Sequence, residues 1–115
     1  MLYTKHKELA TTTETLLFSV PTGFHVIIYY VFIANHGGST NAASLNFLQG
    51  SERIDIFDDT NISGGGRETL GNGGGPLFVL HEGEDVNIQT SSAGDIEFAV
   101  TFELKENPAT LLNFA

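Results

Sequence analysis

The sequence predicts an all-β domain, an antiparallel β-sandwich or barrel of eight short strands. Three observations carry this. Apolar and polar residues alternate with period two along most of the chain, as they do where one face of a sheet is buried. Turn-forming Gly, Pro, Asn, Asp and Ser separate the alternating runs. No segment sustains a helical period, and β-branched and aromatic residues fill the apolar runs.

The clearest strand is DIEFAVTFEL, residues 95–104. Ile96, Phe98, Val100, Phe102 and Leu104 share one face, and Asp95, Glu97, Thr101 and Glu103 share the other with Ala99. EDVNIQT repeats the pattern over 85–90 with Val86 and Ile88 inward, between Gly83 and the turn-like SSAG at 91–94. TLLFSV, within 14–20, places Leu16, Phe18 and Val20 together, and Pro21-Thr22-Gly23 turns the chain into the next strand, 24–35. Shorter strands are expected at 2–5, 43–49, 54–57 and 77–80. The predicted core therefore includes Leu16, Phe18, Val86, Ile88, Ile96, Phe98, Val100 and Phe102. Residues 63–76, SGGGRETLGNGGGP, hold seven of the 13 glycines and read as a long connection, or one with a poorly formed short strand. In a Greek-key sandwich such a segment can be the crossover between sheets.

The 115 residues are one domain's worth, and a chain of this length removes roughly 65% of its unfolded surface from water. Apolar residues make up 41% and charged residues 17%, the balance of a globular protein. There is no Cys, which excludes disulfides, a thiolate nucleophile and Cys-type zinc ligation. Five basic against 14 acidic residues give a net charge of −9, which repels nucleic-acid phosphates and anionic lipid. The basic cluster Lys5-His6-Lys7 is too small to reverse that. The opening MLYTKHKELATTTE has no apolar run after its basic residues, so no secretory leader is expected. The longest apolar run, Val26 to Ala34, has nine residues against about 20 for a membrane helix. The sequon Asn61-Ile62-Ser63 is then expected to be accidental.

GRETLGNG has phosphate-loop spacing, but Asn72 stands where the lysine belongs, Gly73 follows it, and Pro76 and a strand come next instead of a helix. Asp58 to Asn61 gathers hard oxygen ligands without the later glutamate or flanking helices of a calcium loop, and reads as an Asx-rich turn. His6, His25, His36 and His81 show no pair at metal-ligand spacing on a shared element, although distant residues can converge in a fold. No nucleophile elbow is present. No catalytic, cofactor-binding or metal-ligating residues are expected, and the chain reads as a non-enzyme.

The order of elements resembles a known group. LLFSVPTGFHVIIYYVFIANHGGSTNAASLNFL runs strand, V-P-x-G turn, long apolar strand ending in A-N, Gly/Ser-rich turn, strand. LFVLHEGEDVNIQTSSAGDIEFAVTFEL runs strand, tight acidic turn, strand, small-residue turn, strand. Over residues 14–104 this is similar to the small jelly-roll proteins on tailed-bacteriophage virions, the capsid decoration or cement proteins and related fibre-head and tail-spike domains. The resemblance implies a jelly-roll-like sandwich over 1–108 with an apolar tail at 109–115. It implies a structural virion protein, made in the host bacterial cytoplasm, that sits on the outer capsid surface and stabilises the shell. Its partners would be copies of itself, as a trimer, and the major capsid protein, with no nucleic acid, membrane or cofactor. A receptor- or glycan-binding head is the alternative, with only Tyr3, Tyr29 and Tyr30 and no Trp for stacking on sugars. A cupin-type enzyme is a third reading, and needs converging histidines.

One strand departs from the solvent-facing norm. In FHVIIYYVFIAN an unbroken alternation assigns Phe24, Val26, Ile28, Tyr30, Phe32 and Ala34 to the core. It assigns His25, Ile27, Tyr29, Val31, Ile33 and Asn35 to the other face, which is apolar in its middle. Ile27, Tyr29, Val31 and Ile33 are therefore expected to line a subunit interface, most simply around a threefold axis. Leu111, Leu112 and Phe114, beyond Asn107-Pro108, are expected to dock on a neighbouring subunit, on the capsid or back on the same sandwich.

Overall fold

The computed structural model describes residues 1–71 and 74–108. They form nine strands: β1 (Leu2–Leu9), β2 (Thr15–Ser19), β3 (Phe24–Asn35), β4 (Asn41–Gln49), β5 (Glu52–Ile62), β6 (Arg67–Leu70), β7 (Phe78–Leu80), β8 (Asp85–Thr90) and β9 (Ile96–Glu106). The ninth strand is β6, which forms inside the glycine-rich segment. No helix occurs among the described residues.

Two antiparallel sheets face each other. The first has the order β1-β9-β3-β6, with β7 also paired to β3, and the second has the order β2-β8-β4-β5. The pairs are nested: β4 with β5 at the tip, then β3 with β6 and β7, then β2 with β8, then β1 with β9. That is a hairpin folded over into two layers, the jelly-roll-like path. Between the layers Val26, Ile28, Val31, Ile33, Ile96, Phe98 and Val100 of the first sheet meet Leu45, Phe47, Val86 and Ile88 of the second, all essentially without solvent exposure.

The strand ends follow from local chemistry. Gly23, at φ 86°, closes the turn after Pro21, whose carbonyl accepts the Phe24 amide at 3.2 Å. Asn35 ends β3 and is buried, and its side chain bonds on every side. It donates to the carbonyls of Ser39 at 2.8 Å and Ile62 at 2.9 Å, and accepts the Gly37 amide at 2.9 Å. Asn41 holds the β8–β9 turn in the same way, donating to the Ser92 carbonyl at 2.8 Å and accepting its amide at 3.2 Å. The Asp58 to Asn61 stretch lies inside β5 and not in a turn. The β4–β5 register shifts there, Asp59 takes φ 45°, and its amide donates to Ser44 Oγ at 3.0 Å.

Two further irregularities correct the predicted core. The β2–β8 register shifts between Leu16 and Phe18. As a result Leu17 and Val20 are buried, Leu16 is 50% exposed, and Phe18 is half-buried against Phe102 with ring centroids 4.8 Å apart. The second irregularity lies in β3 and determines the surface described next.

Candidate assembly surface

β3 runs unbroken from Phe24 to Asn35, but its pairing with β9 slips by one residue. Ile28 faces Phe102, Tyr30 faces Thr101, and Tyr29 is extra. A bulge of this kind reverses the side-chain phase downstream, because side chains alternate with period two. Before it, Val26 and Ile28 point into the core; after it, Val31, Ile33 and Asn35 do. The expectation that Val31 and Ile33 line an interface is therefore corrected: both have no solvent exposure within a single chain. The expectation that Tyr30 and Phe32 belong to the core is corrected with it. Both are half-buried and lie outward, in the row positions of Thr101 and Ala99.

Ile27 and Tyr29 keep the outward placement expected of them. Ile27 stands opposite Glu103 and Val79, and the Tyr29 hydroxyl donates to Glu103 Oε1 at 3.4 Å. The outer face of the first sheet thus carries Ile27, Tyr29, Tyr30 and Phe32 in its central strand. Leu2 and Val79, 58% and 46% exposed, lie on the flanking strands in the same row as Ile27. Thr4 and Thr101, joined hydroxyl to hydroxyl at 3.0 Å, flank Tyr30. Charge sits at the margins: Arg67 stands 5.9 Å from the centre of the Phe32 ring, and Glu103 meets Lys105 at 3.8 Å and the N-terminal amine at 3.7 Å.

β6 pairs with residues 31–34 of β3 and β7 with residues 26–28, which leaves the bulge between the two pairings. Gly71, at φ 94°, lies against it. A Cβ there would stand 2.6 Å from the Tyr29 carbonyl oxygen and 3.0 Å from Leu77 Cδ1. The N-terminal segment pairs at one edge of the sheet as β1, and β6 of the glycine-rich segment at the other.

Leu111, Leu112 and Phe114 lie outside the described residues. Of the histidines, His25 hydrogen-bonds Asn107 at 2.9 Å, and the His81 amide donates to Glu84 in a tight turn. His6 and His36, far apart in sequence, converge on one carboxylate. His6 Nδ1 is 3.6 Å from Glu97 Oε2, and His36 Nε2 is 3.3 Å from Glu97 Oε1. At the opposite side of the sandwich, Arg53 bridges Asp55 and Glu14, each at 3.1 Å. The Asp55 hydrogen bond, then the Glu14 charge, holds its guanidinium pKa above the ordinary arginine value.

No protein-family model matches the chain, and no curated protein sequence matches it. Among solved structures, a chain from work described as "Bacillus endospore appendages form a novel family of disulfide-linked pili" superposes with a TM-score of 0.53 at 13% identity. The match covers 94% of this chain and 88% of that one. At such identity the likeness shows a shared small all-β fold over nearly the whole length of both chains, and it gives no support to the expected likeness to phage virion proteins.

Proposed function

We propose that this chain is a structural subunit that works by being assembled, through the outer face of the β1-β9-β3-β6 sheet, and that it catalyses no reaction. The observation that carries the reading is the outward row of Ile27, Tyr29, Tyr30 and Phe32 on the central strand. Each aliphatic side chain fully covered by a neighbour would contribute roughly 1.5–3 kcal/mol. Left in water, the same run is a sticky β-rich surface.

The partner is further copies of the chain. The fold it shares with a pilus subunit supports a self-assembling role, and the resemblance of residues 14–104 to phage decoration proteins supports a place on a particle surface. In the phage reading, the chain is a trimer that caps junctions of the major capsid protein on the outside of a virion. In the appendage reading, the contact does not close and the subunits form a fibre. The relative's pili are described as disulfide-linked, and this chain has no cysteine. Its assembly would therefore rest on surface burial and strand pairing alone.

Electron microscopy of the purified chain, with co-pelleting on empty phage capsids, tests the reading. Fibres support the appendage role, and capsid pelleting by a discrete oligomer supports decoration. A monomer that neither polymerises nor pellets contradicts both. Tyr29, Tyr30 and Phe32 on an open sheet face also suit a sugar ring. A monomer that binds on a glycan array, and loses binding in Tyr30→Ala, would move the function to receptor recognition.

A further inference from the structure

We infer that His36, Glu97 and Glu8 form a binding site for a divalent transition-metal ion of the zinc type, with His6 beside the second carboxylate oxygen of Glu97. The site sits on the outer face of the first sheet, at the end where β3 stops. Three elements supply it: Glu8 and His6 from β1, Glu97 from β9, and His36 from the residue after β3.

The ligand atoms of Glu8, His36 and Glu97 all lie within 4.8 Å of one another. Two ligands about 2.0–2.1 Å from a tetrahedral zinc are themselves about 3.3–3.4 Å apart. His36 Nε2 and Glu97 Oε1 already stand 3.3 Å apart, and the exposed Glu8 side chain closes the remaining gap by rotating inward. One imidazole and two carboxylates are a donor set such ions accept, with a water completing the shell. His6 Nδ1, 3.6 Å from Glu97 Oε2, is placed to orient that carboxylate from outside the metal's own shell.

Two other features support a cation there. Glu8 and Glu97 are directly opposite each other in the β1–β9 register and so share a face. Like charges in that position oppose pairing. Among the described residues, the Glu97 carboxylate lies within 4 Å of no Lys or Arg nitrogen and pairs only with the two imidazoles, and Glu8 has no salt bridge. The lysines of β1, Lys5 and Lys7, alternate onto the other face, opposite Val100 and Phe98. The second feature is rigidity. The His36 amide donates to the Asp95 carbonyl at 2.8 Å, and the residue before it is the fully bonded, buried Asn35. A ligand carried on so fixed a backbone loses little freedom on binding. An ion held there would also tie the edge strand β1 to the body of the sheet.

The test is titration of the full chain with zinc chloride in a non-chelating buffer, by calorimetry and by thermal melting. The site predicts saturation at one ion per chain in the micromolar range or tighter, and a Tm rise on the order of 10 °C at a hundredfold excess over Kd. His36→Ala and Glu8→Gln should each weaken binding at least about tenfold. Glu8 is exposed, so that variant keeps the fold if the first does not. His25→Ala/His81→Ala should bind as the wild type does. Three results would overturn the assignment: no saturable binding below about 100 μM, well above a micromolar Kd; undiminished binding in Glu8→Gln; or loss of binding in the His25/His81 pair.

Discussion

The two sheets turn very different outer faces to their surroundings. On the second sheet that face is mostly polar and largely bonded to itself, with Leu16, 50% exposed opposite Asn87, and the half-buried Leu48 as its exceptions. Asn46 Nδ2 donates to Glu14 at 3.3 Å, Asn87 to Asn46 at 3.4 Å, Gln89 to the Thr12 carbonyl at 3.0 Å, and Arg53 clamps Glu14 and Asp55. On the first sheet the central strand offers Ile27, Tyr29, Tyr30 and Phe32, with Leu2 and Val79 beside them. A sandwich needs only its inner faces to be apolar. The mostly polar face satisfies itself. The apolar one leaves room for a partner, and the proposed assembly is placed there.

The largest expected effect breaks the boundary between inside and outside. Val31→Asp places a charge with no partner among Val100, Leu70 and the facing core. It should cost more than about 4 kcal/mol and leave the chain unfolded. Circular dichroism of the purified variant checks this, and a folded Val31→Asp would show that the bulge is misplaced. Phe98→Ala removes a ring with no solvent exposure from the layer that both outer faces share. A loss of about 3–5 kcal/mol is expected in urea unfolding, and one under about 1 kcal/mol would contradict the core.

Asn35→Ala acts at the end of β3. It strips the partner from the Gly37 amide and from the Ser39 and Ile62 carbonyls, and should cost about 1–3 kcal/mol. Phe32→Asp, one residue from Val31, should cost only about 1 kcal/mol or less, since the ring faces outward beside Arg67. The contrast between neighbouring residues 31 and 32 is the signature of the phase reversal.

Most of the frame is legible in the residues. β9 alternates without a break, and Ile96, Phe98 and Val100 are buried as its pattern demands. β3 and β8 have the predicted limits, 24–35 and 85–90. The phase of β3 beyond Tyr29 is not legible, for a physical reason. Val31 and Ile33 on one phase, and Tyr30 and Phe32 on the other, are all apolar, so alternation fits either choice. The bulge that selects between them lies in the pairing with residues near 101, and Gly71 packs beside it, both distant in sequence. β2 fails in the same way, where Leu16, Leu17 and Phe18 are all apolar and a register shift buries the middle one. The convergence of His6 and His36 on Glu97 is equally hidden, since no spacing rule joins residues brought together only by the order β1-β9-β3.

The proposed assembly uses the outer face of the first sheet and not that of the second. Analytical ultracentrifugation at micromolar concentration separates the two, comparing wild type with Ile27→Asp/Phe32→Asp and with Asn87→Asp on the second sheet. An oligomer is expected for wild type and for Asn87→Asp, and a folded monomer for the Ile27/Phe32 pair. A wild-type monomer, or an oligomer that survives in the Ile27/Phe32 pair, rules the proposed surface out.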